Sequence, residues 1–188
     1  MTVVPAGTEI DYTVTYLEMT ERPRFPWPHA PVKPPVSLLL CQDPPVWYFR
    51  ALYDAVGRDY AWEDMPARPD DEVRDWLDPA RMRLWTVLSH GWPHGFFLLD
   101  EADAATTEIV YFGLVREAIG RGLGTWMLKT AILTAWEREG LERLEVNTCT
   151  LDHPRALSLY QKHGFRPVRR EQKSRVLTRD RNTDLHPA

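Results

Sequence analysis

Apolar and polar residues partly alternate over residues 8–19, TEIDYTVTYLEM, a stretch rich in Thr, Tyr, Ile and Val. That pattern predicts a half-buried strand. Residues 21–35, ERPRFPWPHAPVKPP, follow it. Their prolines bar a continuous helix or a central strand, so they predict an extended arm. Residues 36–42 are a short apolar run that reads as a buried strand, and residues 44–57 read as a helix opening at its prolines and stopping at Gly57. A loop-like stretch, residues 58–71, leads to a short helix over 71–78. Residues 82–91 and 93–102 predict two strands joined by a tight turn around Gly91, Trp92 and Pro93, and residues 106–115 predict a further strand.

From Gly120 to Glu139 the period changes. Gly124, Leu128, Ala131, Ile132 and Ala135 share one stripe of a helix, and Gly140 is placed to stop it. Residues 141–150 read as a strand. Residues 152–163 read as a helix with Asp152 or His153 near its N-cap, Pro154 in its first turn and Gly164 behind it. Residues 165–178 predict a last strand or hairpin, and from Arg179 the chain is polar and expected to fray. The order β, β, α, α, β, β, β, α, β, α, β has no internal repeat and no clear linker. It predicts one α/β domain, a mixed sheet covered by helices, over residues 1–188.

Composition narrows the function classes. A hydrophobic fraction of 44% and eight tryptophans in 188 residues describe a chain with a substantial core. The net charge of −4 and the absence of any Lys/Arg run argue against duplex nucleic acid as partner. Cys41 and Cys149 sit in no metal-ligand pattern and form no disulfide framework, so no metal is expected. No basic, apolar leader opens the chain and no apolar stretch is long enough to span a membrane, so a cytoplasmic protein without membrane contact is expected.

The chemistry concentrates where the predicted strand 106–115 turns into the helix. Gly120, Gly122 and Gly124 alternate with Arg121 and Leu123. The first N–H groups of a helix lack internal partners and carry the positive end of its dipole, and glycines let a phosphate approach them. A tight turn needing positive φ at one or two positions explains such a cluster equally well. The dinucleotide fingerprint and the P-loop are both excluded by the spacing.

The segment IGRGLGT, residues 119–125, resembles the acyl-CoA loop of the Gcn5-related N-acetyltransferases, Gln/Arg-x-x-Gly-x-Gly/Ala. Gly122 and Gly124 match, and Ile119 departs from the usual Gln or Arg. HPRALSLYQKHGF, residues 153–165, is similar to the same family's Asn-x-x-Ala-x-x-x-Tyr-x-x-x-Gly-Phe helix. Ala156, Tyr160, Gly164 and Phe165 match, and His153 replaces the Asn. The ordered pair of motifs, with one helix and one strand between them, carries the resemblance over about a third of the chain.

The resemblance implies a mostly antiparallel central sheet with two splayed parallel strands and helices on both faces. It implies acetyl-CoA as co-substrate, lying between residues 108–115 and 141–150. Phe112, Gly113, Leu114 and Val115 would then pair with the pantetheine amides, and Ile119, Gly120, Arg121, Gly122, Leu123, Gly124 and Thr125 would wrap the pyrophosphate. Asn147, His153, Ala156 and Tyr160 complete the implied cofactor contacts. Tyr160 is the candidate general acid for the leaving thiolate, with a packed core tyrosine as the alternative. Glu108 is the candidate general base, with Asp152, His153 or Asn147 as other candidates. The oxyanion donor is expected from a backbone N–H near Gly113 or Leu114.

On the acceptor side, Tyr60 and Trp62 lie among Asp59, Glu63 and Asp64, a mixture that suits a small-molecule or peptide amine, or else a packed loop with a solvated acidic face. The proline-rich arm is placed either along this pocket or on a second subunit, and dimers are common among proteins that resemble this chain. Three other readings stay open: an acyl-CoA-binding sensor without turnover, a transferase acting on oxygen or carrying a longer acyl chain, and a glycine loop that is structural only.

Overall fold

A computed structural model describes residues 3–33 and 35–183. Its strands are β1 (Val3–Val4), β2 (Glu9–Met19), β3 (Ser37–Cys41), β4 (Met82–Ser89), β5 (Trp92–Asp100), β6 (Thr106–Leu114), β7 (Arg143–Cys149), β8 (Arg166–Val176) and β9 (Arg181–Asn182). Its helices are α1 (Val46–Gly57), α2 (Asp70–Trp76), α3 (Leu123–Trp136) and α4 (Ala156–Lys162). Short 3₁₀ turns, Arg58–Tyr60 and Arg116–Ala118, follow α1 and β6.

Seven strands form one sheet in the order β3-β4-β5-β6-β7-β2-β8, and β1 pairs with β9 in a separate small sheet. Every pairing in the large sheet is antiparallel except β6 with β7. The first long strand of the chain thus lies between two of the last. Helices cover both faces. α3 and α4 bury Leu128, Ile132 and Tyr160 against Leu17, Phe97, Leu99, Ile109 and Val146. α1 and α2 bury Phe49, Leu52 and Val73 against Leu84, Phe96 and Leu98 on the opposite face. Alternation along β5 divides Phe97 and Leu99 from Phe96 and Leu98, as a strand with helices above and below requires. Among the described residues no helix is long and apolar enough to cross a membrane.

Several local expectations change. The tight turn is His90-Gly91, both with positive φ, and Trp92 and Pro93 already belong to β5. Two residues in the left-handed region make the compact hairpin that suits strand twist. α1 does stop at Gly57, as expected, though without a left-handed turn there: its φ is −86°, and Arg58–Tyr60 continue as a 3₁₀ turn to Ala61, whose φ is 56°. Gly57 is small because Trp62 lies on it: a Cβ there would stand 2.5 Å from the indole. α3 ends at Trp136, three residues short of the expected end, and Gly140, φ 79°, serves the turn into β7. Residues 165–178 hold one long strand, not a hairpin.

The chain beyond Arg179 does not fray where it is described. Arg179 donates to Asp54 Oδ1 at 3.0 Å and to the Trp62 carbonyl at 3.2 Å, and Arg181 donates to the Leu151 carbonyl. The rest of that expected tail, residues 184–188, lies outside the described residues. The proline-rich arm crosses the α3–α4 face. Arg22 pairs with Glu137 at 2.5 Å, Phe25 packs edge-on to His163, and Lys129 Nζ lies 5.1 Å from the Phe25 ring. Its described residues line none of the cavity below, so the placement along the acceptor pocket is corrected.

Candidate active site

β6 and β7 run parallel only as far as the pair Ile109–Val146. Beyond it β6 stays on β5 and β7 stays on β2, and a seam opens between them. The separation begins at a bulge. Leu99 faces Ile109 and Leu98 faces Tyr111, which leaves Val110 as the extra residue. A bulge bends its strand and strengthens its twist, and this one turns β6 away from β7.

The seam leaves main-chain groups of β6 unpaired on one side. Val115 N–H is given to the His94 carbonyl at 3.0 Å, toward β5. Alternation then points the peptide groups of Gly113 toward β5 as well, and those of Leu114 and Phe112 into the seam. Of the four residues expected to pair with pantetheine, Phe112 and Leu114 have groups free to do so. Gly113 lines the seam too, but its small size serves packing, because a Cβ would collide with Val56 Cγ1.

β6 leads through Arg116–Ala118 to the glycine loop. Gly120 and Gly122 have φ of 81° and 76°, so both are turn residues in the left-handed region. Gly122 is the N-cap of α3 and no side chain caps the helix, which leaves the N–H groups of Leu123, Gly124 and Thr125 without that partner. Gly124 differs from the other two. It is helical, and an added Cβ would meet Leu114 Cδ1 at an ordinary 3.8 Å. Neither backbone strain nor packing requires glycine there. Arg121 is exposed on the loop, and Leu123 anchors it in the core.

The seam and the loop open onto one cavity of about 810 Å³. It brings together Glu108, Phe112, Gly113, Leu114, Ile119, Gly120, Gly122, Gly124, Thr125, Asn147, His153, Ala156, Tyr160, Tyr60 and Trp62. Val115, Arg121 and Leu123 are not on its wall. Residues not expected from the sequence join it, chiefly Tyr12 and Tyr16 of β2, Tyr111 of β6 and Lys173 and Arg175 of β8.

Tyr160 is 5% exposed, lies edge-on to Phe112 with centroids 6.1 Å apart, and reaches the cavity. Its hydroxyl donates to no described protein group. Burial, with the Asp152 carboxylate adding to it, pushes the phenol above its ordinary range, so it stays protonated. Glu108 stands on the opposite face of the sheet, since Ile109 beside it packs under α3. Burial and the facing Glu145 raise its pKa, while Asn147 Nδ2, 3.2 Å from Glu108 Oε1, works the other way. In register, Asp100, Glu108, Glu145 and Glu18 form a row of four carboxylates across β5, β6, β7 and β2.

The other candidate bases are occupied. Asp152 accepts from Trp62 Nε1 at 3.2 Å, Thr148 Oγ1 at 2.7 Å and Cys149 N–H at 2.8 Å. It does not cap α4; His153 Nδ1 accepts the Arg155 N–H at 3.1 Å at that end. Asp64 accepts from Tyr53, at 2.5 Å, and from Tyr111, and Asp59 pairs with Arg116. Glu63 accepts the Thr178 N–H. The acidic loop is therefore a braced wall. Trp62 packs tilted against Tyr53 and Tyr111 and edge-on to Phe96, while buried Tyr60 faces His153, its phenol pushed up to about 12 by burial and Asp59. Cys149 is likewise held as a thiol, raised to about 11 by burial first and Asp152 second. Among the described residues no group of three or more His, Cys, Asp or Glu is placed to hold a metal.

These elements build a half-open parallel seam that ends at an uncapped helix, with a buried phenol beside it. The sequence pattern of the acetyltransferase (GNAT) family matches residues 19–165, and the chain belongs to that family. A mycothiol acetyltransferase of Beutenbergia cavernae is 36% identical over 110 residues, 56% of this chain and 34% of that protein. One from Jonesia denitrificans is 32% identical over 97 residues, 50% of this chain and 30% of that protein. The aligned part is about a third of the length of these curated relatives. In fold, the chain resembles a GCN5-related N-acetyltransferase from Sphaerobacter thermophilus, with a TM-score of 0.61 at 18% identity over 93% of this chain and 53% of that one.

Proposed function

We propose that this domain transfers an acetyl group from acetyl-CoA to an amine by direct attack, with no acyl-enzyme. The observation that carries the reading is the single cavity that joins three things: the unpaired β6 edge, the uncapped start of α3, and the Tyr160 hydroxyl. Main-chain groups of Phe112 and Leu114 would bind the pantetheine arm as an added strand does. The N–H groups of Leu123, Gly124 and Thr125 would receive the pyrophosphate, with Arg121 and Arg155 adding charge.

Attack by an amine needs a neutral nucleophile, a donor for the oxyanion and a proton for the leaving thiolate. Glu108 takes the amine proton, directly or through water. Its raised pKa brings it closer to working pH and makes it a better base than an ordinary surface carboxylate. An N–H on the seam side of β6 supplies the oxyanion donor. Tyr160, on the other face, gives its proton to sulfur. The acceptor enters over β7, β2 and β8 on the Glu108 face, opposite the one that α3 and α4 cover.

Calorimetric titration with acetyl-CoA followed by a thiol-release assay with amines tests this reading. Micromolar binding with amine-dependent thiol release supports it. Binding without release for any amine would make the domain a sensor, and no binding at millimolar acetyl-CoA would remove the transferase reading.

A further inference from the structure

The acceptor half of the cavity is charged unevenly. Among the described residues three carboxylates line the cavity: Asp64, Asp152 and Glu108. Asp64 is saturated by two tyrosine hydroxyls and Asp152 by three donors. Glu108 accepts one hydrogen bond, from Asn147, and its Oε2 accepts none among the described residues. Unspent negative charge therefore sits at one place, beside the seam.

The positive charge lies across the sheet on β8. Lys173 faces Tyr12 in register, and Arg169 faces Tyr16. The Arg169 guanidinium stacks 3.7 Å over the Tyr16 ring. Tyr16 OH donates to Glu171 Oε2 at 2.8 Å, and Arg169 reaches the same oxygen at 3.1 Å. Glu171 is thus already shared when Lys173 meets it at 3.4 Å, and the remaining Lys173 contact, with Tyr16 OH, is also 3.4 Å. An ammonium has three N–H donors. Two long contacts leave Lys173 able to take a further acceptor from the cavity that it lines. Arg175, next on the same face, is spent on the Ala61 carbonyl and Tyr12, and holds the wall in place. On this face of β8 three cations, Arg169, Lys173 and Arg175, stand against one carboxylate, Glu171.

We infer that Lys173 selects an acceptor that carries a carboxylate as well as its amine: a short peptide or an amino acid with a long reach between the two groups. The inference rests on the transferase reading above and names the substrate class of that site. Asn147 contacts Glu108 and faces Tyr16 across β7 and β2, and Tyr16 OH touches Lys173. Three interstrand steps of about 4.8 Å separate β6 from β8, and the side chains reach inward, Glu108 to Asn147 and Lys173 to Tyr16, which puts the charged ends on the order of 10–15 Å apart. Two or three extended residues, at about 3.5 Å each, span most of that gap. The Lys173 charge favours the carboxylate, and Glu108 receives the ammonium at the seam.

The test compares matched acceptors: Ala-Ala and Ala-Ala-Ala against their C-terminal amides, and 6-aminohexanoate against hexylamine, each with saturating acetyl-CoA. The expected result is a kcat/KM about tenfold or more higher for the acids. Lys173→Met should bring the acid-to-amide ratio near one with the acetyl-CoA Kd unchanged, and Lys173→Arg should keep the preference. Equal use of acids and amides, a preference for the amides, a ratio unmoved by Lys173→Met, or acetyl-CoA binding with no turnover of any pair would each overturn the inference. Failure to bind acetyl-CoA would instead overturn the transferase reading, and this inference with it.

Discussion

Ile109 and Val146 are the last residues at which the two parallel strands remain partners, and Val110, one position on, is the bulge that parts them. The hydrogen bonds that the sheet gives up past this pair are the ones the proposed cofactor takes. Both sides of the seam then carry a different chemical group, Glu108 on one face and Tyr160 on the other.

Gly124 separates a structural glycine from a ligand-driven one. Gly124→Ala should leave the fold intact and add about 0.5–1 kcal/mol to the helix, because the site is helical with room for a methyl. Alanine is accepted at this position by the family pattern and should keep acetyl-CoA affinity, whereas Gly124→Glu, whose carboxylate would face the proposed phosphate site, should lower it by about tenfold or more. A thermal melt and a titration of both variants decide; parent-like affinity in Gly124→Glu would remove Gly124 from the cradle.

Tyr160→Phe should keep the acetyl-CoA Kd within about twofold and lower kcat by about 10²-fold or more, the usual worth of a positioned acid. The hydroxyl supports nothing else in the described structure, so the melting temperature should stay put. Turnover equal to the parent's would leave Tyr160 a packing residue only.

The carboxylate row gives a pH prediction. Glu145 faces Glu108 and, with burial, raises its pKa. A base works deprotonated, so kcat/KM should decline as pH drops through that raised value. Glu145→Gln removes the like charge, and the acid limb of the profile should move to lower pH while the plateau is kept. A limb that stays in place would show that another group governs it.

Gly57→Ala should destabilise the protein by about 1–3 kcal/mol, the range for overpacking, since the methyl would meet the Trp62 indole at 2.5 Å. At about 2–4 °C per kcal/mol for a domain of this size, the melting temperature should fall by roughly 2–12 °C. Trp62 also walls the cavity, so acceptor KM should rise more than the acetyl-CoA Kd. An unchanged melt would mean that the indole swings aside at no cost.

The elements legible in the sequence were those whose reasons are local. The glycine loop and the run from Ala156 to Phe165 carry their spacing within a few residues, and both fall where that spacing put them. The turn falls at His90-Gly91 and not at Gly91-Trp92-Pro93, because β5 tolerates Pro93 near its start, beside the irregularity at Val87/Leu88. Gly57 is legible as the end of α1, but the demand for its small size is not, because that comes from Trp62, a packing contact that periodicity does not carry. Tyr12, Tyr16, Lys173 and Arg175 gave no signal because their meeting depends on β2 pairing with β8; Tyr16 and Glu171, which share a hydrogen bond, are 155 positions apart. Arg179 read as tail because its partners, Asp54 and Trp62, are equally remote.

The position of β2 between β7 and β8 also bears on how the molecule is made. On a ribosome adding about 5–20 residues per second, the 11 residues of β2 wait on the order of ten seconds or more for β8. For most of that time, until β7 emerges, both edges of β2 are open. Contacts of such long sequence separation make folding slow, and the nascent strand is the segment that a chaperone would have most reason to hold.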